Sequence, residues 1–384
     1  MGSSDLLEKA ARQGGVAVRG TASFQPALDM LLPELMASKT LTPDGRERVE
    51  AYIVDTLIAR FKIEDWIARH PEVGEAPVER PLFILGMPRA GTTLLLNLLR
   101  FDPQRRVYWH WEGNRETPPV AQAELYSDAR IVQRVEEVNA GLASGALDPR
   151  HHLEMGDEPT ECLWTLAQDF KAYPWLVQSQ VPAYFEWLYH KADMVAAYRH
   201  HKHALQVMQS RAPGRWTLKF PSHGAFLDAL LKVYPDARIM VTHRDPVKPI
   251  GSTCSVCEHI LMNNNARIDR AYLGYESSTL IAHAAIRVMA ARDAHPDVPF
   301  FDMHYKTFVA NPIAEIVRLY DFLGEALPHD VLHRMEVALA GYRSQRAVHG
   351  EHAYKLEDYG LSRKGVEVQF KDYIARFGIA PETD

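Results

Sequence analysis

The residues best suited to chemistry stand together between Pro81 and Leu99, in the order Pro-Leu-Phe-Ile-Leu-Gly-Met-Pro-Arg-Ala-Gly-Thr-Thr-Leu-Leu-Leu-Asn-Leu-Leu. The apolar start is typical of a buried strand, the Gly/Pro-rich middle of a tight loop, and the apolar end of a helix. Backbone N–H groups in such a loop converge on an anion, and the helix dipole favours negative charge there. The stretch therefore predicts an anion-binding loop between a strand and a helix.

This loop departs from the P-loop of nucleoside triphosphatases, G-x-x-x-x-G-K-[ST], at one decisive position. Gly86 and Gly91 have the required spacing, but Thr92 stands where the motif needs a lysine. The strongest cation lies inside the loop instead, as Arg89. In a triphosphatase the lysine reaches the β- and γ-phosphates, and the loop hydroxyl binds Mg²⁺. We therefore predict a site for an anion smaller than a triphosphate, with no metal required.

A second group of polar residues follows an apolar run at 237–242, which we predict to be another buried strand. Arg244 comes directly after it, and Ser252 lies eight residues further on. A cation at the carboxyl end of a strand faces the ligand crevice of an open α/β sheet, and a guanidinium can hold a phosphate through two hydrogen bonds. The alternative for Arg244 is a salt bridge with the neighbouring Asp245.

Strands that alternate with helices predict an α/β fold, with a parallel sheet flanked by helices. We predict strands after residue 81 and at 215–219, 237–242 and 298–303. The main helices predicted between and after them lie at 121–143, 225–233, 279–292 and 308–323.

The chain divides at a turn-rich stretch that runs from Pro71 to Pro81. We predict a helical N-terminal extension over 1–78, in which Thr42 and Pro43 begin one helix as its cap and first residue. The second domain then covers 79–384 and ends in a helical part, 311–384.

Bulk composition excludes several classes of protein. The 384 residues are 47% hydrophobic and 24% charged, which is ordinary for a globular protein, and the net charge of −6 argues against general nucleic-acid binding. The sequence has neither an apolar run of the roughly 18 residues that cross a bilayer nor a basic-then-apolar start typical of a secretory signal. Three cysteines make a disulfide framework unexpected. We expect a cytoplasmic protein without nucleic-acid partners or integral membrane association.

Taken together, the two motifs resemble those of the 3′-phosphoadenosine-5′-phosphosulfate (PAPS) dependent sulfotransferases, in particular the bacterial branch with a G-x-P-R-x-G-T-T loop. In that family, the loop after the first strand holds the 5′-phosphosulfate, and an arginine with a serine eight residues later holds the 3′-phosphate. The resemblance covers about 81–310, taken as the PAPS-binding core, and implies a P-loop-like fold, a hydroxyl acceptor and no metal. The residues that match the cofactor-binding motifs are Pro88, Arg89, Ala90, Gly91, Thr92, Thr93, Arg244 and Ser252.

The resemblance also implies catalytic groups. Arg89 would stabilise charge on the leaving phosphate, and Lys219, at the end of a predicted strand, would contact the bridging oxygen or the sulfonate. His223 is a natural proton acceptor because a neutral imidazole is available near pH 7. The chain departs from the family's Lys-x-His form, since proline stands where that histidine would be. Glu158 and Glu161 remain the alternative bases, because some members of the family use a carboxylate.

The triplet Arg363-Lys364-Gly365 resembles one through which some eukaryotic members bind the 3′-phosphate. The alternative is a solvated basic first turn of a helix.

Two further clusters do not predict a metal site. Cys254 and Cys257 form a lone C-x-x-C, whereas a structural zinc site needs another ligand pair nearby. We interpret His200, His201 and His203 as the polar face of a helix.

The acceptor is suggested only by aromatic residues, which are dense between 164 and 189. These residues either pack helices against one another or line an apolar pocket. The second interpretation favours a sterol, lipid or phenol as acceptor. Two other functions stay open: a P-loop kinase-like or triphosphatase-like phosphotransferase, against which Thr92 argues, and a non-catalytic nucleotide-binding protein of the same fold.

Overall fold

The sheet at the centre of the fold has five parallel strands in the order β2-β3-β1-β4-β5. The structure is a computed structural model that describes residues 2–150, 154–349 and 354–382. The strands are β1 Leu82–Gly86, β2 Arg105–Val107, β3 Arg215–Lys219, β4 Arg238–His243 and β5 Phe300–His304. The predicted α/β fold with a parallel sheet is thereby confirmed.

Helices cover both faces of this sheet. Four precede it: α1 Ser3–Gly14, α2 Thr21–Ala37, α3 Pro43–Arg69 and α4 Pro71–Glu75. Those between the first and last strands are α5 Thr92–Leu99, α6 Ala129–Ser144, α7 Leu163–Ala167, α8 Pro182–His190, α9 Met194–Gln209, α10 Leu227–Val233, α11 Val247–Asn264 and α12 Arg270–Ala294. Those that follow are α13 Tyr305–Ala310, α14 Pro312–Leu323, α15 His329–His349, α16 Arg363–Gln369 and α17 Lys371–Phe377.

The N-terminal helices form as their sequence predicts. Thr42 caps α3, since its hydroxyl accepts a hydrogen bond from the N–H of Gly45 at 2.9 Å, and Pro43 is the first helical residue. These helices pack on α8, α9 and α11, so buried residues such as Phe24 and Leu57 share one apolar core with Phe83 of β1. The helical extension is thus part of the main core, and its separation as a domain stays a prediction.

The four main predicted helices all form, but with different bounds: the helix predicted at 225–233 is α10 Leu227–Val233, and the one predicted at 279–292 is the longer α12 Arg270–Ala294. The bounds of the other two are set by capping side chains. The helix predicted at 308–323 is two helices, α13 and α14, because the helical backbone is interrupted at Asn311. The side chain of Asn311 caps α14 by accepting a hydrogen bond from the N–H of Ala314 at 3.1 Å. The helix predicted to start at 121 begins only at α6, where Asp128 provides the cap. In both cases a capping side chain sets the boundary more strongly than the apolar pattern.

The interpretation of the α9 histidines as a polar face is wrong for two of the three. His200 is buried and lies 2.9 Å from both Glu64 and Gln168. His201 is also buried and its Nδ1 lies 2.6 Å from the Tyr234 hydroxyl. The helices α3 and α10 cover this face of α9, so the two histidines contact protein groups rather than solvent.

The register of the central strands brings the predicted motifs to one edge of the sheet. Ile84 of β1 pairs with Lys219 of β3, and Gly86 pairs with Thr242 of β4. The carboxyl ends of β3, β1 and β4 therefore lie side by side, where open α/β sheets bind ligands. No helix of the described residues is long and apolar enough to cross a membrane.

Candidate active site

The loop predicted to bind an anion connects β1 to the N-terminus of α5, as the sequence indicated. Three of its residues have left-handed backbone angles, with φ of +115° at Gly86, +58° at Arg89 and +83° at Gly91. A left-handed φ costs a residue with a side chain about 1–2 kcal/mol, so the conformation at Arg89 is imposed by the loop. Pro88 and Arg89 are half-buried, whereas Ala90 is fully buried and anchors the loop.

Neighbouring elements leave no space for a side chain at the two loop glycines. A Cβ on Gly86 would lie 2.4 Å from the carbonyl oxygen of Thr242, and one on Gly91 would lie 2.9 Å from the ring of Phe308. The backbone of β4 holds the loop further, since the carbonyl of Thr242 accepts from the N–H of Met87 at 3.0 Å. Packing and the β4 backbone thus hold the loop in this conformation.

We expect Gly86→Ala to lower the free energy of unfolding by about 3 kcal/mol, because the methyl group meets the β4 backbone and the left-handed φ adds strain. Chemical denaturation measures this loss. Gly341→Ala is the matched control, since Gly341 lies inside α15 with nothing within 4 Å of the added Cβ. We expect that variant to be as stable as wild type or more so. Equal stability of the two variants would contradict the tight packing of Gly86.

Lys219 lies beside the loop, at the carboxyl end of β3. Its ammonium group is 3.4 Å from the hydroxyl of Thr93 and 3.0 Å from a carboxylate oxygen of both Glu154 and Glu161. The side chain is 1% exposed. Burial lowers the pKa of Lys219, but the two carboxylates outweigh that effect and raise it to about 12. The structure therefore places a permanently charged ammonium group next to the second threonine of the loop.

The two carboxylates that hold Lys219 come from one long connection before α7. Glu161 is 17% exposed, and Glu154 is 9% exposed and accepts a further hydrogen bond from the hydroxyl of Thr160. Burial raises the pKa of Glu161, Lys219 lowers it, and the nearby charge of Glu154 raises it again. The net effect is upward, which brings this carboxyl group toward the range in which a general base works.

The carboxylate of Glu158, three residues before Glu161, has a different hydrogen-bond partner. Its carboxylate accepts from the N–H of Met155 at 3.0 Å and so closes a turn of the same connection. Burial raises its pKa as well. Of the two carboxylates predicted from the sequence, Glu161 is the one that contacts Lys219.

His223 lies in the core behind the strand ends. It is 0% exposed, its Nδ1 is 2.8 Å from the hydroxyl of Tyr198, and its Nε2 is 3.0 Å from the thiol of Cys162. Burial holds its pKa well below the usual range and raises that of the Cys162 thiol, so both groups are neutral. His201 lies nearby, and its ligand atom and those of Cys162 and His223 are all within 4.8 Å of one another. The cluster is a hydrogen-bonded part of the core.

Arg244 follows β4 and contacts the loop directly. Its Nη1 donates to the carbonyl oxygen of Arg89 at 2.5 Å, and its guanidinium stacks 3.9 Å above the ring of Tyr305. Its Nε and Nη2 both donate, at 2.8 Å each, to the two carboxylate oxygens of Glu382. The guanidinium of Arg244 thus pairs with Glu382 rather than with Asp245, the partner that the alternative interpretation named.

The other residues predicted to hold the 3′-phosphate lie on helices near Arg244. Ser252 is half-buried in the second turn of α11. Arg363, Lys364 and Gly365 form the first turn of α16, and the N–H of Gly365 donates to the capping hydroxyl of Ser362 at 3.2 Å. Lys364 and Gly365 are exposed, whereas Arg363 reaches back and donates to the carbonyl of Glu382 at 3.3 Å.

The aromatic residues between 164 and 189 are mostly structural. The five that are buried at 5% exposure or less are Phe170, Trp175, Tyr184, Phe185 and Tyr189. Their rings pack against one another and against the N-terminal helices, as in the stacked pair Phe170 and Trp175. The interpretation as helix packing therefore holds for these five.

A cavity of about 480 Å³ lies at the far end of α5 from the loop. Its walls are mainly apolar, and the charged residues among them are Arg100, Asp157 and Arg334. None of the residues predicted to bind the cofactor or to catalyse lines it. The strand ends, not this cavity, carry the chemistry that the sequence predicted.

Three residues that contact the predicted site residues could not be predicted from the sequence. Glu154 stands in a polar connection without periodicity, Tyr305 lies just before the predicted start of a helix, and Glu382 is 138 residues from Arg244 along the chain. The resemblance to known sulfotransferases supplied Lys219 and Arg244 but none of these partners.

Comparison with known proteins identifies the family. The sulfotransferase family model matches residues 81–329. The omega-hydroxy-beta-dihydromenaquinone-9 sulfotransferase of Mycobacterium bovis is 24% identical over 315 residues, which cover 78% of this chain and 75% of that protein.

Two solved structures resemble the whole chain. A sulfotransferase from Mycobacterium avium is 33% identical with a TM-score of 0.91, and the match covers 100% of this chain and 98% of that one. A sulfotransferase from Mycobacterium tuberculosis is 26% identical with a TM-score of 0.85, covering 97% and 99%. The predicted P-loop-like sulfotransferase fold is confirmed, and the family match spans more than half of the sequence, including the loop, Lys219 and Arg244. The protein therefore belongs to the sulfotransferase family.

Proposed function

We propose that this protein transfers a sulfuryl group from PAPS to the hydroxyl group of a small-molecule acceptor. One observation carries the proposal: the buried ammonium group of Lys219 lies between Thr93 of the anion-binding loop and the carboxylate of Glu161. A cation is thus next to the position where the leaving phosphate would gain negative charge. A carboxylate is next to the position where the acceptor hydroxyl would lose its proton.

The shape and charge of the site support PAPS as the sulfuryl donor. The loop is closed by glycines that leave no room for side chains, which suits a compact phosphosulfate group whose oxygens accept from backbone N–H groups. Arg244 already holds a carboxylate through two hydrogen bonds, and this is the geometry in which a guanidinium binds a phosphate. We assign the 5′-phosphosulfate to Pro88 to Thr93, and the 3′-phosphate to Arg244, Ser252 and Arg363. Lys364 and Gly365, which are exposed, are not part of this assignment.

When bound, PAPS supplies a sulfuryl group, whose transfer breaks a sulfur–oxygen bond to the phosphate and forms one to the acceptor oxygen. Arg89 and the loop N–H groups stabilise negative charge on the leaving phosphate. Lys219 places a second cation nearby, beside Thr93. Fixed donors aimed at developing charge are typically worth roughly 3–4 kcal/mol each.

We assign the base to Glu161. A base must reach the acceptor hydroxyl, and Glu161 is 17% exposed while His223 is fully buried with both ring nitrogens close to other polar groups. Glu154 is the less accessible partner of Lys219, and its second oxygen is held by Thr160. Glu161 takes the proton of the acceptor hydroxyl while the acceptor oxygen attacks sulfur. His223, in the core, is then a residue that supports the position of Cys162 and its neighbour Glu161.

The acceptor is proposed to be an alcohol or phenol on an apolar molecule. The support is indirect: a related mycobacterial enzyme is named for a hydroxylated dihydromenaquinone, and the half-buried aromatic residue Trp164 lies three residues after Glu161. A clear preference for free sugars over apolar alcohols would contradict this part of the proposal.

Titration calorimetry with adenosine 3′,5′-bisphosphate, AMP and ATP–Mg²⁺ tests the nucleotide. We expect the bisphosphate to bind at least about tenfold more tightly than AMP, because a good charge-assisted pair contributes about 1.5–3 kcal/mol. Mass spectrometry of acceptor panels incubated with PAPS then tests transfer. Tight binding of ATP–Mg²⁺ without binding of the bisphosphate would favour a phosphotransferase, and binding of PAPS without any sulfated product would favour a non-catalytic protein.

A further inference from the structure

The guanidinium of Arg244 is already paired with an anion that belongs to the protein itself. The two carboxylate oxygens of Glu382 accept from Nε and Nη2 of Arg244 at 2.8 Å each, in a bidentate arrangement. The pair is largely buried, with 16% of the Arg244 side chain and 14% of the Glu382 side chain exposed. Such a pair has the geometry and the charge that a phosphate group would offer to the same arginine.

The segment after α17 is built to bring Glu382 to this position. Gly378 ends α17 with a φ of +60°, which turns the chain, and the next residue, Ile379, is 8% exposed in the core. Lys306 donates to the carbonyl oxygen of Pro381 at 2.9 Å. The contact with Arg244 therefore belongs to a packed segment.

Glu382 itself is held by its backbone as well as by its side chain. Its N–H donates to Asp245 at 2.7 Å, and its carbonyl oxygen accepts from Arg363 at 3.3 Å. Asp245 is only 5% exposed, and its other oxygen accepts from the N–H of Val247 at the start of α11. The two arginines that we assign to the 3′-phosphate, Arg244 and Arg363, thus both hold Glu382.

We propose that Glu382 is an internal anion that competes with the 3′-phosphate of PAPS, and of the bisphosphate product, for Arg244. This inference rests on the proposed function, because it takes Arg244 as the 3′-phosphate site. Binding of the nucleotide requires the Glu382 carboxylate to leave the guanidinium. The affinity that is observed is then the intrinsic affinity multiplied by the fraction of molecules in which Arg244 is available.

The competition has a consequence for release of the product. The bisphosphate left after transfer keeps the 3′-phosphate, and return of Glu382 to Arg244 replaces the ion pair that is lost when this product departs. Glu382 thereby lowers affinity for donor and product alike, which favours turnover wherever product release limits the rate. Nucleotides without a 3′-phosphate do not contest Arg244, so their affinity is independent of Glu382.

The test is titration calorimetry of wild type and Glu382→Gln with adenosine 3′,5′-bisphosphate and with AMP. Glutamine keeps the size and removes the charge, so we expect the Kd of the bisphosphate to fall about tenfold and its dissociation rate to slow correspondingly. We expect the Kd of AMP to change by less than about twofold. Glu8→Gln is the matched control, since Glu8 lies on α1 with 72% of its side chain exposed and the substitution removes the same charge.

Hydrogen exchange of wild type gives a second measurement that needs no variant. The bisphosphate is expected to increase exchange of the N–H of Glu382, because displacement of the carboxylate removes a contact that helps to hold this N–H against Asp245, whereas AMP is expected to leave the exchange unchanged. Equal bisphosphate affinity in wild type and Glu382→Gln, without a change in exchange, would overturn this inference alone. Failure of the bisphosphate to bind wild type and Glu382→Gln would overturn the proposed function and, with it, the competition.

Discussion

Replacing Lys219 by methionine is expected to lower kcat for sulfuryl transfer by about 10²–10³-fold, the typical cost of losing one fixed donor at a developing charge. Methionine keeps the length and apolar character of the side chain but removes the ammonium group next to Thr93. The pKa of Lys219 is raised to about 12, so the wild-type group is charged across the whole working pH range. The substitution therefore removes a cation that is present at every pH of the assay.

The same substitution changes the electrostatics of the two carboxylates. Glu154 and Glu161 both lie 3.0 Å from the ammonium group, and without it they face each other in a largely buried place. Like charges at short range raise the pKa of one partner, so we expect one of the two carboxyl groups to take up a proton near neutral pH. Protonation removes the repulsion between the two carboxylates and so preserves folding, but it also leaves less of the carboxylate form that would act as the base.

Initial rates with saturating PAPS and acceptor measure the effect, and denaturation curves show whether the variant is folded. Lys232→Met is the matched control, because Lys232 is exposed on α10 and the substitution is chemically identical. A folded Lys219→Met variant that keeps more than about a tenth of the wild-type kcat would remove Lys219 from the transition state.

The parts of the site that could be predicted from sequence are those that local physics defines. The loop from Gly86 to Thr93 has a strand before it and a helix after it, and its glycines stand where the backbone needs a positive φ. Arg244 was predictable for a similar reason, since a buried strand ends just before it. In each case neighbours in sequence are also neighbours in space.

The partners of these residues could not be predicted, because long-range packing brings them in. Glu154 and Glu161 reach Lys219 across 65 and 58 residues, and Glu382 reaches Arg244 across 138. A charged residue in a polar connection looks solvated until the fold shows which cation lies opposite. The error at His200 and His201 has the same origin, since the sequence of α9 does not reveal that other helices cover its polar side.

The burial of His223 shows how a family pattern can point near a site without reaching it. The histidine is four residues after Lys219, at the distance where a short turn returns the chain to the core. Its ring meets Phe83 edge-on at 5.2 Å and packs beside Tyr198. Glu161, which we propose as the base, lies instead 3.0 Å from the ammonium group of Lys219.

Glu161→Gln is expected to lower kcat by about 10²–10³-fold, within the usual contribution of a general base. Glutamine keeps the shape and can still accept a hydrogen bond from Lys219, so the site stays assembled while the proton acceptor is lost. Glu158→Gln separates the two predicted carboxylates, since Glu158 holds the N–H of Met155 in a turn rather than Lys219. We expect its effect on kcat to be less than about tenfold.

The pH dependence of the rate is the sharper measurement for Glu161. The base acts as a carboxylate, so kcat/KM of wild type should rise with pH as Glu161 loses its proton and then level off. Burial raises the pKa of Glu161, which shifts this rise above the ordinary glutamate range. Loss of the Lys219 proton does not lower kcat/KM below about pH 11, because the pKa of Lys219 is raised to about 12.

In Glu161→Gln the rising limb should disappear, leaving a low rate that does not depend on pH. If that limb remains in Glu161→Gln, another group accepts the proton, and its loss in His223→Asn instead would return the assignment to the histidine. The decisive comparison is therefore the shape of the profile, since a purely structural role for Glu161 would lower the rate without removing its dependence on pH.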